Sequence, residues 1–324
     1  MSDLSDTNCG TLDLVWQRPN YQTRWGYLQR NSERERTFKA LSAARRNALN
    51  LSNFRINKHR YIILSDVHRG NGRPSTDDFV HNHGLYTYAL SHYLQHDYRL
   101  ILNGDIEECW KTNYKAIVEA YENTAFRLEG EFARRGQQHY VRIYGNHDDD
   151  WADPAKADRF LSPVIGRKVT VYPGVMLGDR IFIAHGHQGD PHSDRYSWFS
   201  RRVVRYLWRP LQSILKLKNN RAAENRLVRH NRERFLHQWA RLNSILLIAG
   251  HTHRPLFHVS YDTATPAAPH YFNLGACVHT DGITGIEIDE GEIRLVKWQR
   301  NQWQNSPERV IFQTGDLSKL LTRL

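Results

Sequence analysis

YIILSDVH (61–68) joins five residues of strand character to an Asp and a His, and the same arrangement recurs along the chain. RLILN (99–103) is followed by Gly104-Asp105, YVRIY (140–144) by Gly145-Asn146-His147-Asp148, RIFIA (180–184) by His185-Gly186-His187, and ILLIA (245–249) by Gly250-His251-Thr252-His253. Short runs of Ile, Val, Leu and Tyr read as buried strands. DDFVHNHGLYTYALSHYLQH (77–96), between the first two, has helical spacing of Phe79, Leu85, Tyr88 and Leu94. KAIVEAYENTAFRLEGEFARRG (115–136) is also helix-like and ends at Gly136. Strand–helix–strand alternation predicts an α/β fold with a substantially parallel sheet. In such sheets ligands bind beyond the carboxyl ends of the strands, so five polar clusters at five strand ends converge on one place.

Outward from this frame, the chain after residue 255 turns to β texture in YFNLGACV (271–278), ITGIEID (283–289) and EIRLVKWQ (292–299), with a turn at Asp289–Gly291. Ser32, with Glu35 three positions later, reads as a capping box that opens a helix over ERERTFKALSAARRNAL (33–49). The expected organisation is an N-terminal helical extension over 1–56 and one domain over 57–324. Tyr196–Arg241 reads as two or three amphipathic helices interrupted at Pro210 and Asn219–Asn220, a helical cap inserted at 191–243 on the rim of the strand-end crevice. No internal repeat or low-complexity segment is seen.

The 324 residues, 40% hydrophobic and 11% aromatic, describe a globular chain and exclude a disordered one. Cys9, Cys109 and Cys277 include no CxxC pair, which argues against a disulfide framework and suits a reducing cytosol. The start, MSDLSDTNCG, lacks the basic and apolar regions of a signal peptide, and no apolar run approaches the roughly 20 residues of a membrane span. The expected place is cytoplasmic, with peripheral attachment to the inner membrane face. Net charge is +11, and residues 201–234 carry eleven Lys or Arg against two Glu. That concentration implies an anionic partner.

Hydrolysis of a phosphate ester needs a nucleophile at neutral pH and compensation for charge on the phosphoryl oxygens. Two metal ions about 3.5–4 Å apart supply both. A bridging carboxylate, imidazoles and an amide oxygen complete such a site, and every type is present at the five strand ends. No Cys occupies these positions, so mixed N/O ligation suits Mn²⁺, Fe or Zn²⁺ rather than a closed structural zinc site. Arg69 and Arg254 each follow a candidate ligand and are candidates for holding a substrate phosphate.

The ordered set D-x-H, G-D, G-N-H-D, G-H and G-H-x-H resembles the calcineurin-like metallophosphoesterase superfamily over roughly residues 60–280. The resemblance implies a four-layer αββα sandwich with two sheets between helices. It implies two divalent ions, Mn²⁺ first among the candidates. One would be held by Asp66, His68, Asp105 and His253, the other by Asp105, Asn146, His185 and His251. His147 would face the substrate, and Asp148 would orient His147 or a ligand. His187 is ambiguous within H-G-H, and the family pattern favours His185.

The resemblance implies attack by a metal-bridging hydroxide on a phosphodiester or pyrophosphate. The cap, with Trp198, Phe199, Tyr206 and Trp208 among its arginines, and the GHTHRP string (250–255) are similar to those of UDP-2,3-diacylglucosamine pyrophosphatases. That group commonly has Arg where this chain has His147, and HRGNGRPSTDDF (68–79) and the first 56 residues are extra here. The expected substrate is lipid- or nucleotide-linked and presented at an anionic membrane surface. A nuclease or cyclic-nucleotide phosphodiesterase gripping nucleic acid with its basic cap, a protein phosphatase and a non-catalytic metal-binding scaffold are the alternatives. The cap could equally pack on the core with a solvated basic face or contact a second subunit.

Overall fold

The computed structural model describes residues 24–190, 222–257, 270–301 and 306–324. Among the described residues twelve strands form two sheets. The first sheet has the order β1 (Leu49–Leu51), β6 (Val175–Leu177), β7 (Ile181–Ile183), β8 (Leu246–Ala249), β9 (Tyr271–Asn273). The second has the order β12 (Glu308–Asp316), β11 (Glu292–Gln299), β10 (Ile283–Asp289), β2 (Tyr61–Leu64), β3 (Arg99–Asn103), β4 (Tyr140–Ile143), β5 (Val171–Tyr172). The pairs β2–β3, β3–β4 and β4–β5 are parallel, as are β7–β8 and β8–β9, while β10 joins β2 antiparallel.

Alternation along each strand explains the layers. Tyr61, Ile63 and Ile101 of the larger sheet meet Ile183, Leu246 and Ile248 of the smaller in a core between the sheets. Ile62, Leu64, Leu100 and Leu102 point the other way, onto α2 (His83–Gln95), α3 (Tyr114–Tyr121) and α4 (Arg127–Arg134). A single π turn, Glu122–Phe126, joins α3 to α4. Two short turns of helix follow, α5 (Pro154–Lys156) and α6 (Ser162–Ile165). On the far side Phe182, Ala184 and Leu247 pack on Leu41 and Ala44 of α1 (Arg24–Arg46) and on Leu236, Trp239 and Ala240 of α7 (Ala222–Leu242). A last helix, α8 (Leu317–Thr322), closes one end of the inter-sheet core through Leu317 and Leu320. The four-layer α/β sandwich is therefore present, with the central strands of each sheet buried on both faces.

Several expectations change. Ser32 does not cap a helix: α1 begins at Arg24 and runs through it. Its hydroxyl, exposed on the helix surface, accepts from Arg36 Nη1 at 2.8 Å. A solvent-facing Ser is tolerated inside a helix in that way. Leu49 is not helical but opens β1, which pairs with β6 and adds an edge strand to the smaller sheet. Tyr88 is 44% exposed and is not part of the buried face of α2. The final part of the expected cap, Phe235–Leu242, is outer-layer helix, and residues 191–221 of the cap lie outside the described residues.

Candidate metal centre

The loops that leave β2, β3 and β8 adopt an unusual backbone. Among the described residues eight non-glycines have positive φ, and Asp66 (53°), His68 (48°), Asp105 (52°), His251 (68°) and His253 (57°) are five of them. L-residues pay roughly 1–2 kcal/mol for this region, and such strain gathers at functional sites. The loops are held by backbone bonds to each other: Asp66 N to Gly104 O (3.1 Å), His68 N to Asp105 O (2.9 Å), Gly250 N to His185 O (2.8 Å). Gly145 and Gly250 are needed for room rather than for a turn. A Cβ on Gly145 would lie 2.1 Å from Asp105 Oδ1, and one on Gly250 would lie 2.2 Å from Ser65 Oγ.

These loops gather two groups of ligand atoms. Asp66, His68 and His253 form one and Asp105, His185 and His251 the other, each with its atoms within 4.8 Å of one another. His253 Nε2 lies 3.0 Å from Asp66 Oδ1, and His185 Nε2 lies 3.1 Å from Asp105 Oδ2. His68 Nε2 is 3.8 Å from Asp105 Oδ2, so the Asp105 carboxylate stands between the two groups. The His147 N–H donates to Asp105 Oδ1 (2.8 Å), which ties the loop that carries Asn146 to that carboxylate.

Asp66 Oδ1 and His185 Nε2 of these groups, and Asn146 Oδ1 on the adjoining loop, are buried yet make no hydrogen bond. The short distances to His185 and Asp66 are thus approaches without donor–acceptor alignment. Lone pairs that crowd one point without bonding each other fit a cation there. His185 Nδ1–H donates to Asn103 O at 2.9 Å, which leaves Nε2 as the ligating nitrogen. Burial, with neighbouring imidazoles, lowers the pKa of His68 and His251 and keeps them neutral. Burial opposes a proton on His185 as well, but Asp105 and Asp66 outweigh it and raise its pKa to about 9. The same two carboxylates are the negative charge that a cation would meet.

His147 sits at the edge of this centre. Its Nδ1–H donates to Glu108 at 3.0 Å, and its ring stacks on Trp110 with centroids 4.1 Å apart. Burial disfavours its charge, but Glu108 and then Asp105 more than offset this and raise its pKa to about 9. Glu108 also lies 3.5 Å from His68 Nδ1, so one carboxylate orients two imidazoles.

Other expected residues have different surroundings. Arg69 does not face the centre. It is fully buried, bonded to Glu107 (2.7 Å) and Glu129 (2.6 Å) and stacked over Phe126, which leaves no face for a phosphate. Arg254 is at the rim, bonded to Glu233 at 2.9 Å and 45% exposed. Asp148 bonds the loops of the ligands rather than the His147 ring. It accepts from the backbone N–H groups of Ile106 (2.8 Å) and Gly145 (2.6 Å), clamping the loops that carry Asp105 and Asn146. His187 stands outside both groups, its ring 5.4 Å from that of His185.

Sequence reasoning missed Glu108 and Arg232. Arg232, expected in a basic patch, is buried and donates to Gly186 O (2.9 Å), Thr37 Oγ1 (2.9 Å) and Gln188 O, bracing the H-G-H loop against α1. The spacing of Glu108 to Asp105 was a usable signal, while nothing in the sequence separates Arg232 from its solvated neighbours.

A family model described as calcineurin-like phosphoesterase matches residues 59–255, more than half of the chain. The UDP-2,3-diacylglucosamine hydrolase of Yersinia enterocolitica is 25% identical over 269 residues, 73% of this chain and 98% of that protein. Among solved structures, vacuolar protein sorting 29 from Cryptosporidium parvum shares 13% identity and covers 79% of this chain and 98% of its own, with a TM-score of 0.33. A Vps29 from Entamoeba histolytica, complexed with zinc, shares 13% identity over 78% of this chain and 99% of its own, with a TM-score of 0.31.

Proposed function

This chain belongs to the calcineurin-like phosphoesterase family, and from that premise we propose that it cleaves a phosphodiester or pyrophosphate bond in a lipid- or nucleotide-linked substrate at a membrane surface. As a metal-dependent phosphoesterase it uses the centre described above. One observation carries the assignment: Asp66, His68 and His253 on one side and Asp105, His185 and His251 on the other converge, and Asp66 Oδ1 and His185 Nε2 among them are buried and bond nothing in the protein. Two divalent ions, Mn²⁺ first among them, would supply charge compensation and a nucleophilic water at neutral pH. Asp66, His68, Asp105 and His253 would hold one and Asp105, Asn146, His185 and His251 the other.

The remaining work falls to the protein's own groups. Glu108 holds the Nδ1–H of His147, so Nε2 is the atom left for the substrate. With a raised pKa, Nε2 carries a proton at neutral pH that it can share with a phosphoryl oxygen or give to the leaving oxygen. A positioned acid of this kind contributes about 10²–10⁴-fold. Asp148 keeps the two ligand loops in register, and Arg254 offers an exposed guanidinium at the rim. The activity for which the Yersinia relative is named supports a substrate that joins a nucleotide to a lipid. The basic run 201–234 supports an anionic surface as its meeting place.

Asp105→Ala and Asn146→Ala test the assignment. Each is expected to reduce hydrolysis of bis-p-nitrophenyl phosphate to background while the circular dichroism of the fold is kept. Full turnover in both variants would refute the ligand set.

A further inference from the structure

The ligand loops are tied together a second time, within the layer that α2 and α4 lay on the larger sheet. Glu107 is fully buried there. Its Oε1 accepts from Arg69 Nε (3.1 Å) and Nη2 (2.7 Å). Its Oε2 accepts from Trp151 Nε1 (2.9 Å) and from Arg142 Nη2 of β4. Arg69 follows His68 on the loop that leaves β2, and Glu107 lies between Asp105 and Glu108 on the loop that leaves β3. Trp151 stands in the turn Asp149–Ala152, which follows Asn146. One carboxylate therefore joins the loops that carry His68, Asp105 and Asn146. The arginines continue outward to α4. Arg69 Nη1 donates to Glu129 at 2.6 Å, and Arg142 Nη1 lies 3.9 Å from the same carboxylate. Tyr86 (3.3 Å) and Tyr140 (2.8 Å) also donate to Glu129. The side chains of Arg69, Glu107, Glu129 and Arg142 are all 0% exposed.

Withdrawing these charges from water costs free energy that their mutual attraction often fails to return, and apolar residues of similar volume commonly hold a fold as well. What the ions add over apolar packing is direction, because each charged bond fixes an angle as well as a distance. Direction is what a ligand set needs, since its atoms must be held to within about 0.5 Å. We propose that Glu107 is a positioning residue for the metal centre: through Arg69 and Trp151 it sets the spacing of the three loops, and with it the affinity for the ions. The inference rests on the phosphoesterase reading and adds the group that keeps the ligands in place. Tyr86 provides the contrast. It belongs to α2 and donates to Glu129, so it shares the ion cluster without joining two ligand loops.

The test is calorimetric titration of the full, metal-stripped chain with Mn²⁺ and, separately, with Zn²⁺, together with the thermal midpoint of each protein before metal is added. Glu107→Gln keeps the shape and removes the charge, and is expected to raise the Kd of the bound ion about 10–100-fold. Trp151→Phe keeps the ring and removes one bond to Glu107. It is expected to raise that Kd at least about threefold, and it carries the test should Glu107→Gln fail to fold. Tyr86→Phe is expected to lower the thermal midpoint while the Kd moves less than about twofold. Metal affinity unchanged in the folded variants of Glu107 and Trp151, or weakened equally by Tyr86→Phe, would overturn the positioning role and leave the phosphoesterase reading standing. If the wild type binds neither ion, the phosphoesterase reading falls and the positioning role with it.

Discussion

Glu108 touches two histidines and a lysine at once: His147 at 3.0 Å, His68 at 3.5 Å and Lys111 at 3.3 Å. Removing its charge should therefore alter the acid and not only the packing. Glu108→Gln is expected to lower kcat by about 10–100-fold. The pH profile carries the sharper prediction. A group that acts as an acid supports activity below its pKa and loses it above. With His147 raised to about 9, the alkaline limb should fall near that value, and without the Glu108 carboxylate it should move down toward the ordinary 6.5. An unchanged limb in Glu108→Gln would show that His147 is not the acid. Arg69 and Glu108 also mark what residue spacing conveys. Both sit beside ligand motifs, yet Arg69 turns inward to Glu107 and Glu129 while Glu108 turns to the site. The choice depends on which acids and bases the outer layer brings up, and this is set by tertiary packing.

α7 shows the same division at the level of an element. Its amphipathic pattern was legible, and Leu236, Trp239 and Ala240 do pack on the sheet. The pattern could not say that Arg232 would be buried against the loop Gly186–Gln188. Arg232→Met removes the donors of two buried carbonyls, each worth about 1–3 kcal/mol, and is expected to cost on the order of 2–4 kcal/mol of stability. The urea midpoint measures this, and a shift under about 0.5 kcal/mol would contradict the bracing role. β12 escaped the reading because it is an exposed edge strand with a register shift opposite Leu295–Val296, so its apolar residues do not alternate cleanly. α1 agrees with the expected helix over 33–46 but not at either end, because local capping chemistry yields to a helix already packed on α7 through Trp239 and Ser42.

For the whole molecule, the five strand ends that carry polar clusters were legible, but their division between two sheets was not. Tyr61 and Ile181 begin equally apolar runs, and only pairing places β2 in one sheet and β7 in the other. The antiparallel arrival of β10 beside β2 depends on long-range pairing that no local run contains. The resemblance to a known family, rather than periodicity, supplied the four layers. Among the described residues no helix is long and apolar enough to cross a membrane. The proposed membrane contact thus rests on residues 201–234, which lie mostly outside the described residues. Neutralising Arg201, Arg202 and Arg205 to Gln removes about 1 kcal/mol per charge at an anionic surface and should weaken binding to phosphatidylserine vesicles on the order of 100-fold. Unaltered sedimentation with such vesicles would argue against the interfacial role.

A metal-dependent phosphoesterase that works through the converging Asp, His and Asn side chains loses its activity with its metal. The direct measurement is hydrolysis of bis-p-nitrophenyl phosphate by metal-stripped protein, before and after Mn²⁺, Mg²⁺ or Zn²⁺ is returned. Background turnover is expected in the stripped protein and recovery with Mn²⁺, lost again in Asp105→Ala. Full turnover by stripped protein, or none with any metal in folded protein that hydrolyses no other phosphate ester either, would contradict it.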